Sequence, residues 1–131
     1  MVTRQSELIR VLGGLAEDLP APHWVALVDE DGLIMSCVPA EPVVDIDRIS
    51  AMAAASVQMG ERVLNEIDGG RMRFLTISGA RRQLLTVLLR DNHLLSIGLG
   101  ADVATQTTFA PLSRWIPEVL HVLDRRFGAD R

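Results

Sequence analysis

Residues 47–67, DRISAMAAASVQMGERVLNEI, read as a helix with two apolar faces, and that reading governs what must surround it. Ile49, Met52, Ala53, Val57, Gly60, Val63, Leu64 and Ile67 make one continuous face at helical spacing, expected to cover a sheet. Asp45 stands where an N-cap belongs. Opposite lie Ala51, Ala54, Ala55 and Gln58, followed by Arg62 and Asn65, where a solvent-facing helix would carry mixed charges. A small, flat, uncharged stripe of this kind lets a second helix approach closely. Alanine is also the best helix former, which gives the stripe a plain alternative; pairing is the preferred reading.

Upstream, Leu8, Val11, Leu12, Leu15 and Leu19 set a helix over Thr3 to Leu19, ended by Pro20-Ala21-Pro22. Gly13 and Gly14 each cost that helix about 1 kcal/mol relative to alanine, so it must lean on tertiary packing. Trp24 to Val28 and Leu33 to Val38 are apolar, β-branched runs around Asp29-Glu30-Asp31-Gly32, a hairpin whose glycine can take positive φ. The three carboxylates are read as turn chemistry, because a calcium loop needs further oxygen ligands and a later glutamate.

Downstream, Arg71 to Ser78, Gln83 to Arg90 and Leu94 to Leu99 follow one another through short turns and predict an antiparallel meander. Near-continuous apolarity marks the middle strand as internal, and the first, with Arg71 and Arg73 alternating with Met72 and Phe74, as an exposed edge. A last helix spans Thr108 to Phe127, with Pro111 in its first turn and Pro117 deeper, where a kink or a delayed start is expected. Trp115 borders its apolar stripe; core packing is the first expectation and partner contact the second.

The 131 residues, 48% hydrophobic and 23% charged, suit one globular domain over 1–131 rather than two or a disordered chain. All 13 basic residues are arginine. Without lysine there is no Walker-type phosphate loop, no Schiff base and no pyridoxal phosphate anchor. A net charge of −4 disfavours nucleic acid as the main partner. The single cysteine, Cys37, rules out an internal disulfide, and with no signal-like or membrane-spanning apolar run the expectation is a cytoplasmic protein that does not insert into membranes.

Candidates for chemistry do not assemble. His23, His93 and His121 share no metal-ligand spacing, and Gly98 and Gly100 begin a dinucleotide-like pattern that Val103 breaks. No Gly-x-Ser-x-Gly elbow occurs. No catalytic, metal or cofactor residue is therefore assigned, and the chain is expected to work by binding other proteins rather than as an enzyme.

The segment order, with the Val28-Asp29-Glu30-Asp31-Gly32-Leu33 hairpin, Ala53-Ala54-Ala55 and Met59-Gly60-Glu61-Arg62 in the second helix, and Leu94-Leu95-Ser96-Ile97 as the last strand, resembles the roadblock/LC7 family. The resemblance covers nearly the whole chain and implies an α+β, profilin-like fold of order α-β-β-α-β-β-β-α. Its five-stranded antiparallel sheet would run 2-1-5-4-3, with helices on both faces. It further implies a homodimer made by pairing second helices and joining third strands, with Ala51, Ala54, Ala55, Gln58, Arg62, Arg73, Leu75 and Ile77 at the interface. Members regulate or scaffold Ras-like small GTPases or serve as dynein light chains, and the compact bacterial kind includes proteins that accompany a sensor kinase and a GTPase. On this resemblance a Ras-like GTPase is the expected partner, a sensor kinase system a further one, and Met59, Arg62, Asn65 and Trp115 the candidate contacts. Arg62 could act as a finger on phosphates, although a rim salt bridge is the preferred role. A PAS-like or profilin-like ligand-sensing domain is the alternative, and it would need an apolar pocket with placed polar groups.

Overall fold

Thr3 opens the first helix: its Oγ1 accepts from the Ser6 amide at 3.0 Å, while Ser6 Oγ accepts from the Thr3 amide at 3.0 Å. These reciprocal bonds satisfy amides that a helix start leaves unpaired. A computed structural model of the chain describes residues 2–127. Its helices are α1 (Arg4–Asp18), α2 (Ile46–Glu66) and α3 (Phe109–Asp124), and its strands β1 (Trp24–Val28), β2 (Ile34–Val38), β3 (Phe74–Ser78), β4 (Arg82–Leu88) and β5 (Leu94–Gly100). Every neighbouring pair is antiparallel and the sheet order is β2-β1-β5-β4-β3, as expected.

Alternation along the strands sends side chains to two separate cores. Val25, Leu27, Leu85, Val87, Leu95, Ile97 and Leu99 meet Leu8, Val11, Leu12 and Leu15 of α1 and Leu112, Val119 and Val122 of α3. On the other face Val28, Leu94, Leu88 and Leu75 meet Val57, Ala54 and Leu64 of α2, with Met72 between. α2 thus lies alone on its face, and α1 and α3 share theirs.

The hairpin turn behaves as turn chemistry. Asp29 Oδ1 accepts from the amides of Asp31 at 2.9 Å and Leu33 at 3.0 Å, and Gly32 takes φ +82°, which a residue with a Cβ adopts only under strain. Gly14 serves packing instead: a Cβ there would lie 2.3 Å from Trp115 Cη2, so glycine lets α3 close onto α1. The helix tolerates that glycine because its inner side chains are fully buried.

Three expectations need correction. The face of α2 that meets the sheet is narrower and made of smaller residues: Ser50, Ala53 and Val57 are buried, whereas Met52, Val63 and Ile67 are exposed. A lone helix on a broad sheet buries only the line nearest the strands, and small side chains permit that approach. The third strand begins at Phe74 rather than Arg71, leaving Arg71 and Arg73 before it. Pro117 lies within α3, which starts at Phe109 and runs on to Asp124 without a delayed start; the proline removes only the bond to the Ser113 carbonyl.

Candidate functional site

The exposed surface of α2 is the site's foundation. Met52, Ala55, Met59 and Val63 recur at three- and four-residue spacing, so they line one side of the helix, and all are exposed. Met52, Met59 and Val63 keep 56%, 59% and 53% of their surface in solvent, which is unusual for three apolar side chains in a row on one helix. Arg48 and Glu66 bound this strip near its ends, and no charge interrupts it between them.

Register places part of β3 on the same side of the sheet. Leu75 packs into the α2-side core, and Ile77, two residues on, points the same way and is 50% exposed. β3 is the last strand of the sheet, so one of its edges has no partner strand. Apolar side chains and unpaired backbone groups therefore meet at one margin of the molecule, the combination that invites strand addition.

The other expected residues divide into three groups. Ala51, Ala55, Gln58, Arg62, Asn65 and Met59 are exposed on α2, and Arg73 is exposed before β3. Ala54 is half-buried against Gly32 and the core, which leaves it less surface to offer a second helix. Gln58 and Arg62 join Asp29, Glu30, Glu61 and Asn92 around a cleft of about 400 Å³, beside the hairpin turn and away from the methionine strip. Trp115 is packed on Gly14, and its Nε1 donates to Asp18 Oδ2 at 2.6 Å. That bond, with the Arg114 guanidinium 2.8 Å from the same oxygen, holds the Asp18 carboxyl below the ordinary aspartate range. Trp115 is thus a packing residue, matching the first of its two expected roles.

A family model for the Roadblock/LC7 domain matches residues 11–98, from within α1 to within β5. The chain belongs to the Roadblock/LC7 family. Solved structures share the fold beyond what sequence identity would suggest. MglB of Myxococcus xanthus superposes with a TM-score of 0.80 at 14% identity, covering 98% of each chain. The Roadblock/LC7 domain from Streptomyces avermitilis gives 0.78 at 18% identity, covering 88% of this chain and 97% of its own. The gliding protein MglB from Thermus thermophilus gives 0.78 at 12% identity, covering 93% and 92%. No curated protein matches the chain by sequence. At these identities the likeness shows the fold alone, so the exposed residues must be judged on this chain's own chemistry.

Sequence reasoning missed the methionine strip, although the signal was present: Met52, Met59 and Val63 share a helical line free of charge. Periodicity alone assigns Met52 and Val63 to the sheet-covering face, and Met59 enters only as a candidate partner contact. Among the described residues no helix is long and apolar enough to cross a membrane.

Proposed function

We propose that this roadblock protein is a cytoplasmic, noncatalytic homodimer that docks a Ras-like small GTPase and biases its nucleotide state. The observation that carries the dimer is the exposed strip of Met52, Met59 and Val63 beside the free edge of β3. Two copies set antiparallel across that edge would extend the sheet and bring the second helices together, covering Ile77 as well. Ala51, Ala55, Gln58 and Arg62 then border the paired helices, with Arg73, Leu75 and Ile77 along the strand seam, while Ala54 supports the helix from beneath. The surface spanning both second helices, including Arg62 and Asn65, would receive the GTPase.

Family membership and the likeness to MglB support the GTPase as partner. A regulator without catalytic groups acts by binding one conformation of the GTPase more tightly than the other, which shifts the equilibrium by that difference alone. Arg62 is exposed at the rim of the cleft beside Glu61, a position suited to orienting a partner rather than to reaching phosphates. A sensor kinase system would act on the complex through the same dimer. GTP turnover by the partner GTPase, measured with wild-type protein and with a dimer-breaking variant, tests this reading. A change in turnover that requires the dimer is expected; no change with either protein would refute it.

A further inference from the structure

The face of the sheet opposite α2 carries a second opening. α3 leans onto α1, where Trp115 meets Gly14, and leaves β3 partly uncovered. Between β3 and α3 lies a groove of about 310 Å³ walled by Phe74, Leu85, Val87, Phe109, Leu112 and Ile116. Phe74 and Phe109 stand with ring centroids 5.4 Å apart at an interplanar angle of 57°, yet remain 39% and 41% exposed. Two aromatic rings held half in water are a surface awaiting a third apolar group. The volume is near the lower end of the range for ligand pockets, about 300–1,000 Å³, which suits one or two side chains rather than a cofactor. On the same face Thr76 stands opposite Leu85 in the ladder, and its buried hydroxyl has no hydrogen-bond partner.

The lining of this groove carries charge of one sign. Arg73 is the one charged residue among those lining it. Arg71 precedes β3 at the Arg73 end and Arg81 and Arg82 stand at the far end of the β3–β4 hairpin, all exposed, and residues 69 to 89 contain no aspartate or glutamate in a chain whose net charge is −4. None of these four arginines makes a salt bridge within the described residues. An arginine at the edge of a groove whose other lining side chains are uncharged is complementary to an apolar side chain flanked by a carboxylate.

We propose that the groove between β3 and α3 is a docking site for an acidic peptide segment that inserts one phenylalanine or leucine side chain. The apolar side chain enters between Phe74, Phe109 and Leu112, and a neighbouring carboxylate pairs with Arg73. The groove opens on the α1 and α3 side of the sheet, away from the α2 helices and from the GTPase reading, although it shares β3, and with it Arg73, with the proposed strand seam.

The probe is a fluorescein-labelled Asp-Asp-Leu-Phe-Asp-Asp peptide, followed by fluorescence anisotropy and by amide chemical shifts of the full chain. Saturable binding is expected, with shifts at Arg73, Phe74 and Phe109 to Ile116, weakened at least fivefold by Phe109→Ser and by Arg73→Glu. The counterpart peptide with lysine at every aspartate should bind wild type at least fivefold more weakly and should prefer the Arg73→Glu variant. The proposal is overturned by no binding up to millimolar peptide, by equal binding of the two peptides, or by shifts centred on Met52 and Met59. It is equally overturned if the Phe109 to Ile116 amides, which lie off the proposed strand seam, shift with protein concentration alone, which would make a second copy the occupant. Met59→Glu protein should bind the peptide as wild type does, which separates this site from the dimer.

Discussion

Replacing Met59 with Glu places a charge at the centre of the proposed helix pair. Met59 keeps 59% of its surface in solvent, so pairing can remove about three-fifths of a methionine from water. Full burial of such a side chain contributes about 1.5–3 kcal/mol, and symmetry makes each substitution count twice, giving about 2–3.5 kcal/mol per dimer from lost apolar burial. At about 1.4 kcal/mol per tenfold, the dimer weakens roughly thirty- to three-hundredfold. Burying an unpaired carboxylate adds several kcal/mol in the same direction. The isolated chain should be nearly unaffected, because methionine and glutamate have similar helix propensity, within a few tenths of a kcal/mol. Sedimentation equilibrium gives the dimer constant and thermal unfolding monitors the fold. Gln58→Arg, on the side of α2 that faces the hairpin cleft, is the comparison and should cost the dimer much less. A Met59→Glu protein that dimerises like wild type, or a Gln58→Arg protein that is the more disrupted of the two, would refute the methionine strip as the seam.

Other consequences follow from packing and charge. Gly14→Ala puts a Cβ 2.3 Å from Trp115 Cη2, so the indole must move or α1 and α3 must separate; a loss of about 1–3 kcal/mol in denaturant unfolding is expected, and an unchanged midpoint would contradict the contact. Asp18 has a folded pKa below its unfolded value, first through the Trp115 hydrogen bond and then through Arg114. Its contribution is therefore complete above the unfolded value of about 3.9 and is lost as pH falls through the folded one. In a Trp24→Phe background, Trp115 emission should stay constant from neutral pH down to about 4 and change below it, and Asp18→Asn should abolish that acid transition. A transition that persists in Asp18→Asn would assign it elsewhere. Antiparallel joining of two β3 edges brings Arg71 and Arg73 of one copy towards Arg81 and Arg82 of the other, so the dimer should tighten severalfold as added salt shortens the screening length from about 30 to 8 Å. A dimer that loosens with salt would point to ion pairs at the seam.

Much of this architecture is legible in the chain. Asp29 to Gly32 dictates its hairpin through local bonds, and the two short turns after Ser78 and Arg90 leave the meander little choice of pairing. Cap residues behave locally too, since Asp45 accepts from the Arg48 amide at 3.3 Å. The α2 surface is harder to read, because Met52 and Ala53 obey the same periodicity and the structure buries the smaller one. Which of two apolar faces touches the sheet depends on how closely the helix approaches and on what else covers that sheet, and neither is encoded within residues 47–67. Phe74 and Phe109 are separated by 35 positions in sequence, and their groove exists only because α3 leans onto α1.

As proposed above, this roadblock protein distinguishes the nucleotide states of a Ras-like GTPase. The most direct measurement is a calorimetric titration of the dimer with such a GTPase from the same genome, loaded once with a non-hydrolysable GTP analogue and once with GDP. Affinities differing by at least tenfold are expected, about 1.4 kcal/mol of differential binding, with the difference weakened in Met59→Glu. Equal affinity for the two loaded forms, or no binding to either, would contradict it.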